Sequence, residues 1–173
     1  MKRMHLLLAA TASAVLLSCG GKEEKKTEKF EYQEAEETTT EAPATSTDAN
    51  VADIVLVGDD LMKFNLKEIK VKAGQKVKLT LRHAGKLDVK VMGHNFVLLA
   101  QGTDLPAFAL EAASASTTDY IPANSSAVLA HTKMVGGGGT DVIEFDAPAA
   151  GTYDFICSFP GHFAMMQGKF IVE

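Results

Sequence analysis

From residue 51 to the C-terminus, apolar and polar residues alternate in short runs separated by turns. The clearest runs lie on either side of Ala73-Gly74, where lysines alternate with the apolar residues Ile69, Val71, Val77, Leu79 and Leu81. A period of two is typical of strands that turn one face to the core and the other to water. We therefore predict an antiparallel hairpin at residues 69–81.

Six more runs of this kind follow: Val89–Val91, Phe96–Leu99, Ala127–His131, Val142–Phe145, Thr152–Ile156 and Lys169–Val172. Turn-forming residues separate them, and we expect the glycines at positions 136–139 to form a flexible hairpin turn. The one predicted helix is Leu105–Ala113, with Asp104 as its N-cap and Pro106 in its first turn. The whole pattern indicates an all-β sandwich or barrel with one inserted helix.

The first fifty residues follow a different pattern. Residues 1–18 combine a basic start with an apolar run, which is the layout of a secretory signal peptide. The tetrapeptide Leu16-Leu17-Ser18-Cys19 is similar to a bacterial lipobox, so we expect Cys19 to carry lipid; the alternative is an ordinary signal peptide followed by an unrelated cysteine. Gly20, rather than an aspartate, follows Cys19, and the resemblance to Gram-negative sorting patterns then implies a lipid anchor in the outer membrane, facing the periplasm.

Residues 19–50 are predicted to be a disordered, acidic tether. Residues 20–50 hold 9 acidic and 4 basic side chains and few large apolar ones, so they cannot bury enough surface to offset their chain entropy. Residues 51–173, the predicted folded domain, hold 13 acidic and 11 basic side chains, a net charge of −2. A near-neutral domain without a basic patch argues against nucleic acid as a partner.

Cys157 is the one cysteine of the predicted domain, so no disulfide partner is available to it there. A lone exposed thiol is a liability in an oxidising compartment, and it must therefore be buried or bound. It begins the run Cys157-Ser-Phe-Pro-Gly-His162-Phe-Ala-Met-Met166, which can direct a thiolate, an imidazole and a thioether at one point. This soft donor set suits copper better than zinc, whose structural sites prefer four strong ligands.

A trigonal copper site needs a second histidine, and the residues alone leave that choice open. His94 follows a predicted strand, but spacing does not distinguish it from His83 or His131. The choice between Met165 and Met166 as the axial ligand is equally open. A buried cysteine, a solvated histidine and a core methionine would each have an ordinary structural explanation, but their grouping within ten residues would not.

These residues resemble the cupredoxins, and the azurins among them, over nearly all of residues 51–173. The likeness is most specific at Tyr120, at Cys157–Met166 with its spacing, and in the stretches Val91-Met92-Gly93-His94-Asn95 and Ala130-His131-Thr132-Lys133. The resemblance implies a Greek-key β-sandwich of about eight strands. It also implies one type 1 copper, held by His94, Cys157, His162 and axial Met166, with the Gly93 carbonyl as a distant fifth contact.

The resemblance further assigns roles to the surroundings of the metal. The backbone N–H groups of Asn95 and Phe159 would point at the Cys157 sulfur, and the Asn95 side chain would link the two ligand-bearing segments. Phe64 and Phe159 would keep water out. His83 matches a histidine thought to titrate with redox state, although burial or solvation would explain it equally well.

Three features depart from the family pattern, and one histidine has no expected role in it. No cysteine lies between Val51 and Ile156, so the family's usual disulfide has no counterpart. Phe96 stands where the family often has a buried tryptophan, and Asp88 falls within its apolar surface. His131 is expected to be structural.

The implied function is one-electron transfer by copper that cycles between Cu(I) and Cu(II) in the bacterial cell envelope. The alternative is a copper-binding or trafficking protein without a dedicated electron-transfer role. An enzyme is not expected, because the chain has no His-x-His pair and no hydrolase motif. The implied partners are redox proteins such as c-type cytochromes or reductases. They would bind an apolar surface around His162, here called the docking patch, that comprises Met62, Leu87, Met92, Phe159, Pro160, Ala164 and Met165.

Overall fold

The structure, a computed structural model, describes residues 50–173. The predicted signal peptide, the lipid on Cys19 and nearly all of the tether therefore lie outside the described residues. The strands of the described part are β1 (Val51–Gly58), β2 (Glu68–Val71), β3 (Lys76–His83), β4 (Val97–Leu99), β5 (Val128–His131), β6 (Thr140–Asp146), β7 (Gly151–Ile156) and β8 (Gln167–Val172). Its helices are α1 (Val89–Met92), α2 (Leu105–Ala113) and a 3-10 turn at Ser116–Thr118.

The strands form two sheets, one of three strands in the order β1-β3-β6 and one of five in the order β2-β8-β7-β4-β5. The main core contains side chains from both sheets, among them Leu56, Val77, Leu79, Phe155 and Phe170. Burial of each such side chain is favourable by about 1.5–3 kcal/mol. The predicted sandwich is therefore the architecture observed.

A smaller apolar cluster holds α2 against the five-stranded sheet. Phe108 and Ala112 of the helix pack with Val97, Leu99 and Ile156. The helix has the predicted bounds, and the Asp104 carboxylate accepts a hydrogen bond from the Ala107 N–H at 3.0 Å, as expected of an N-cap. No helix within residues 50–173 is both long and apolar enough to cross a bilayer.

The predicted hairpin at residues 69–81 is wrong. The alternation does identify the inward residues, but β2 and β3 belong to different sheets: β2 pairs in parallel with β8, and β3 pairs with β1 and β6. The physical reason is that alternation fixes which side chains face the core and leaves open which neighbour receives the backbone hydrogen bonds. The turn at Ala73-Gly74 therefore carries the chain from one sheet to the other.

The predicted strand Val89–Val91 is also wrong, because these residues form the short helix α1. Asp88 supplies the cause: its carboxylate accepts a hydrogen bond from the Lys90 N–H at 2.9 Å and caps the turn. The glycines at 136–139 do not form a hairpin turn either, because they join β5 of one sheet to β6 of the other. Gly137 packs so closely on the Lys86 backbone that a Cβ would lie 2.5 Å from the Lys86 Cα.

Candidate metal centre

The segment Cys157–Met166, here called the ligand loop, joins the antiparallel neighbours β7 and β8. The Cys157 N–H donates to the Met166 carbonyl at 2.9 Å and closes the neck of the loop. Within the loop, the Met166 N–H donates to the His162 carbonyl at 2.8 Å. Gly161 adopts φ = +82°, a left-handed conformation that favours glycine. The loop therefore folds back on itself and holds its three donor residues close together.

A second segment, Gly93–Asn95, here called the Gly93 segment, lies between α1 and β4 rather than at the end of a strand. His94 and Val135 exchange two backbone hydrogen bonds, at 2.9 and 2.8 Å. The next residue along the chain, Phe96, donates its N–H to the Thr132 hydroxyl at 2.9 Å. The segment is thus held by residues about forty positions later in the sequence.

The two segments bring His94, Cys157 and His162 together, with their ligand atoms all within 4.8 Å of one another. The Cys157 sulfur lies 4.0 Å from Nδ1 of His94, 3.7 Å from Nδ1 of His162 and 3.8 Å from the Gly93 carbonyl oxygen. His94 and Cys157 are 0% exposed and His162 is 4% exposed. Four of the five predicted ligand residues therefore meet in one dry site.

The remaining predicted ligand, Met166, is fully buried, whereas Met165 is 50% exposed. The Met166 methyl and the His94 ring lie against the same backbone position, because a Cβ on Gly58 would be 3.3 Å from the first and 2.7 Å from the second. This contact favours Met166 over Met165 as the axial residue. It also explains why a glycine stands at position 58.

Of the three candidate histidines, only His94 has a position that lets it join Cys157 and His162 in the site. His131 is exposed, and its Nδ1 lies 3.1 Å from the Thr132 carbonyl. His83 is buried but lies behind His94, where the two rings stack at 4.3 Å and 8°. The His83 Nδ1 accepts the Gly85 N–H at 3.0 Å, so its Nε2 must donate to the Met92 carbonyl at 2.8 Å. Both His83 nitrogens are thus occupied within the protein.

A carbonyl that the sequence did not point to fixes the state of His94. Its Nε2 lies 2.8 Å from the Asp59 carbonyl oxygen, which can only accept, so Nε2 carries the proton. Nδ1 is then unprotonated and faces the Cys157 sulfur. Burial lowers the pKa of His94, so the ring is neutral at physiological pH. No sequence signal identifies Asp59, because only its backbone takes part.

Burial also sets the protonation states of the loop donors. It raises the pKa of the Cys157 thiol to about 11, opposed by the backbone N–H groups of Asn95 and Phe159, which donate toward the sulfur. The two N–H contacts are those that the family resemblance implies. Burial, with smaller contributions from His94 and His83, lowers the pKa of His162 to about 4. The metal-free site thus holds a thiol and two neutral imidazoles at pH 7.

The Asn95 side chain links the two segments. Its amide nitrogen donates to the Ser158 hydroxyl at 2.8 Å and to the Asp119 carbonyl at 3.0 Å, and its oxygen accepts the Ser158 N–H at 2.8 Å. Every buried side-chain nitrogen and oxygen within residues 50–173 has a partner. Ser158, adjacent to Cys157, is a functional residue that the sequence analysis did not identify.

Aromatic rings cover the site on the side of the ligand loop. The Phe159 ring lies 4.6 Å from the His162 ring and 5.3 Å from Tyr120. Phe64 is buried and packs with Phe155 at 5.9 Å, next to the core rather than on a ligand ring. Phe96, in the predicted place of a tryptophan, is fully buried 5.6 Å from Phe155. The Phe159 ring thus covers His162, of which 4% remains exposed.

The predicted docking patch is apolar and largely accessible. Leu87 is 42% exposed, Pro160 and Ala164 are exposed, and Met62, Met92 and Phe159 are half-buried. Residues of α2 extend the patch, because they line a groove of about 400 Å³ together with Phe159 and Pro160. Asp88 is exposed beside Leu87, and its carboxylate caps α1.

The donor set fits one type 1 copper: a thiolate, two imidazole nitrogens and a buried thioether in an enclosed position.

A family model described as copper binding proteins of the plastocyanin/azurin family matches residues 51–173. Azurin-1 of Alcaligenes xylosoxydans xylosoxydans is 44% identical over 117 residues, which cover 65% of this chain and 91% of that protein. Outer membrane protein H.8 of Neisseria gonorrhoeae is 40% identical over 114 residues, which cover 64% of this chain and 62% of that protein. Among solved structures, auracyanin A, a blue copper protein of Chloroflexus aurantiacus, matches with a TM-score of 0.66 at 32% identity and covers 71% of this chain and 99% of its own.

Proposed function

The chain belongs to the plastocyanin/azurin family of copper-binding proteins, and on that premise we propose that it carries single electrons in the bacterial cell envelope. Nδ1 of His94, the Cys157 thiolate, Nδ1 of His162 and the Met166 thioether would hold one copper. The Gly93 carbonyl oxygen, 3.8 Å from the Cys157 sulfur, would be a fifth donor. The observation that carries this proposal is the convergence of two imidazoles and a lone thiol within 4.8 Å in a buried site.

Bound copper would supply the one-electron couple, and the protein's own groups prepare the site for it. Because Cys157 is a thiol in the metal-free state, it must release a proton to become a ligand. The N–H groups of Asn95 and Phe159 then stabilise the thiolate, and hydrogen bonds to sulfur favour the more electron-rich, reduced site. The Asp59 carbonyl keeps His94 in the tautomer that leaves Nδ1 available.

The enclosure of the donors supports a carrier over a trafficking protein. A trafficking site must exchange metal, whereas here Cys157, His94 and Met166 are fully buried and their segments are linked through Asn95. Fixed ligands change little when the metal changes charge, which lowers the reorganisation cost of electron transfer. His162 is the most accessible of these donors, and its ring lies against Phe159 of the docking patch. Redox partners such as c-type cytochromes or reductases would therefore dock on this patch.

The cell-envelope location rests on the sequence and on one relative. The predicted outer-membrane location agrees with the name of the related outer membrane protein H.8. A flexible tether of the predicted length, about thirty residues, would have a root-mean-square reach of roughly 30 Å and would let the folded domain move clear of the outer membrane into the periplasm. Residues 51–173 would then act as the copper domain at the end of this tether.

Copper-dependent colour tests the ligand assignment. We expect the copper(II)-loaded protein to absorb intensely in the visible range through thiolate-to-copper charge transfer. Cys157→Ser should abolish the band completely. The chain's other cysteine provides the matched control, since Cys19→Ser should keep the band while releasing the protein from membranes. A colourless copper complex of the parent protein, or colour in Cys157→Ser, would contradict the proposal.

A second measurement separates a carrier from a trafficking protein. Electron self-exchange of the copper-loaded protein is compared with the rate of copper loss to a chelator. Fast self-exchange with slow loss of copper supports the carrier. Rapid loss of copper together with slow self-exchange would favour the trafficking alternative.

A further inference from the structure

Lys67, an exposed residue between β1 and β2, makes contacts with the end of the ligand loop that neither the proposed ligands nor the docking patch explain. Its ammonium donates to the Met165 carbonyl at 2.8 Å and to the Gln167 carbonyl at 3.3 Å. These two carbonyls belong to the residues immediately before and after Met166. The Lys67 side chain, almost one hundred positions earlier in the chain, therefore hydrogen-bonds to the backbone before and after Met166.

The backbone of Lys67 holds the same region. Its carbonyl accepts the Lys169 N–H at 2.9 Å, which ties the residue just before β2 to the parallel neighbour β8. Gly168 packs so closely here that a Cβ would lie 2.6 Å from the Lys67 carbonyl oxygen. Lys67 thus makes three hydrogen bonds to the stretch 165–169, two through its ammonium and one through its carbonyl.

Met166 itself is anchored on the opposite side. Its N–H donates to the His162 carbonyl, and its carbonyl accepts from the Cys157 N–H. These bonds tie Met166 to the two loop ligands but leave its flanking carbonyls at Met165 and Gln167 facing Lys67. The Met165 carbonyl shares its peptide unit with the Met166 N–H, so rotation of that peptide would move the Met166 Cα and therefore its sulfur. The Gln167 carbonyl lies one peptide further on, and its bond to Lys67 holds the chain where it leaves Met166.

We propose that Lys67 is a positioning residue that fixes the Met166 thioether by holding the carbonyls of Met165 and Gln167. This inference rests on the proposed function for its consequence at the metal, and on the contacts alone for its effect on the loop. Lys67 lies outside the ligand loop, yet it would help to fix the place of the Met166 sulfur. Lys67 acts by holding the backbone and not through its charge, because water and salt screen an exposed ammonium.

Three variants test whether the Lys67 ammonium holds the loop, and the dependence on ionic strength then separates position from charge. Lys67→Met removes the ammonium but keeps an unbranched apolar stem, Lys67→Arg retains the charge and the donors, and Lys70→Met removes a lysine of β2 whose ammonium pairs with Glu68 at 3.2 Å. In the metal-free protein we expect severalfold faster hydrogen exchange at the Met166 and Cys157 amides in Lys67→Met. Exchange should stay at the parent rate in Lys67→Arg and Lys70→Met.

In the copper-loaded protein, Lys67→Met should shift the relative intensities of the visible charge-transfer bands and the electron paramagnetic resonance signature, equally at low and high ionic strength. Lys67→Arg should restore both. The inference is overturned if Lys67→Met behaves as Lys70→Met in exchange and in spectra, or if its spectral change disappears in high salt. A parent protein that binds copper without colour would instead contradict the proposed function. Hydrogen exchange in the metal-free protein would still test whether Lys67 holds the loop.

Discussion

The ligand loop and the Gly93 segment build one site, but they are held in different ways. The loop is closed by its own bonds: Cys157 pairs with Met166 at its neck, and Met166 bonds back to His162. The Gly93 segment has no such internal closure and depends on Val135 and on the Asn95 contacts with distant residues. The difference teaches that half of the site is a local structure, whereas the other half exists only when the sandwich is assembled.

The largest expected effect comes from breaking the link between the two. Asn95→Leu removes two buried hydrogen bonds to Ser158 and one partly buried bond to the Asp119 carbonyl, and it leaves the buried Ser158 N–H without a partner. We expect a loss of about 3 kcal/mol in the free energy of unfolding, measured with urea on the metal-free protein. Thr132→Val is the matched control, since it removes one buried bond, to the Phe96 N–H, and should cost about 1 kcal/mol. Equal losses would mean that Asn95 contributes no more than an ordinary buried bond.

The next largest effect concerns how the stability of the metal-free protein depends on pH through His94 and His162. When the pKa of a histidine is lower in the folded state than in the unfolded state, the folded protein binds fewer protons. Its contribution to stability is therefore complete above the unfolded-state pKa and is lost as the pH falls toward the folded-state pKa. For His162 this window runs from 6.5 down to about 4. We expect the metal-free protein to lose about 2 kcal/mol between pH 6.5 and 5.

Variants assign this pH dependence. His162→Gln should flatten the stability profile more than His94→Gln, because the pKa of His162 is the more strongly lowered of the two. A parent protein whose urea midpoint does not change across this window would contradict the lowered pKa of His162.

The smallest contrast concerns the glycines of the two segments. Gly93 has an ordinary φ of −67°, but a Cβ there would lie 2.5 Å from the Val89 carbonyl and 2.9 Å from Met134. Gly161 has open space around it but a φ of +82°. We expect Gly93→Ala to cost about 2 kcal/mol through overpacking and Gly161→Ala about 1 kcal/mol through backbone strain.

Thermal unfolding of both glycine variants checks this contrast. The site should respond in the same order, with copper affinity reduced more in Gly93→Ala because the crowding displaces the residue next to His94. If Gly161→Ala loses more stability than Gly93→Ala, local backbone strain outweighs crowding by distant residues. The ligand loop, and not the Gly93 segment, would then be the more sensitive of the two.

Much of this comparison could be read from the order of the residues. The grouping of Cys157, His162 and Met166 within ten residues predicts a shared site, because a short connection between adjacent strands cannot separate them. Alternation likewise identifies Ile69, Val71 and the inward residues of β3, since a period of two is a property of the strand itself. Helix α2 follows from its own cap at Asp104. These features depend on local geometry alone.

Long-range pairing decided the rest. Alternation could not choose between β3 and β8 as the neighbour of β2, so the predicted hairpin failed although its buried face was correct. Spacing could not select His94 over His83, because the choice depends on which ring the Val135 contact brings to Cys157 and which ring stacks behind it. The sequence by itself determined the chemistry of the donors and the loop that holds most of them. Only the tertiary structure decided the second histidine, its tautomer and the bonds from Asn95 and Lys67, because each requires backbone groups from distant parts of the chain.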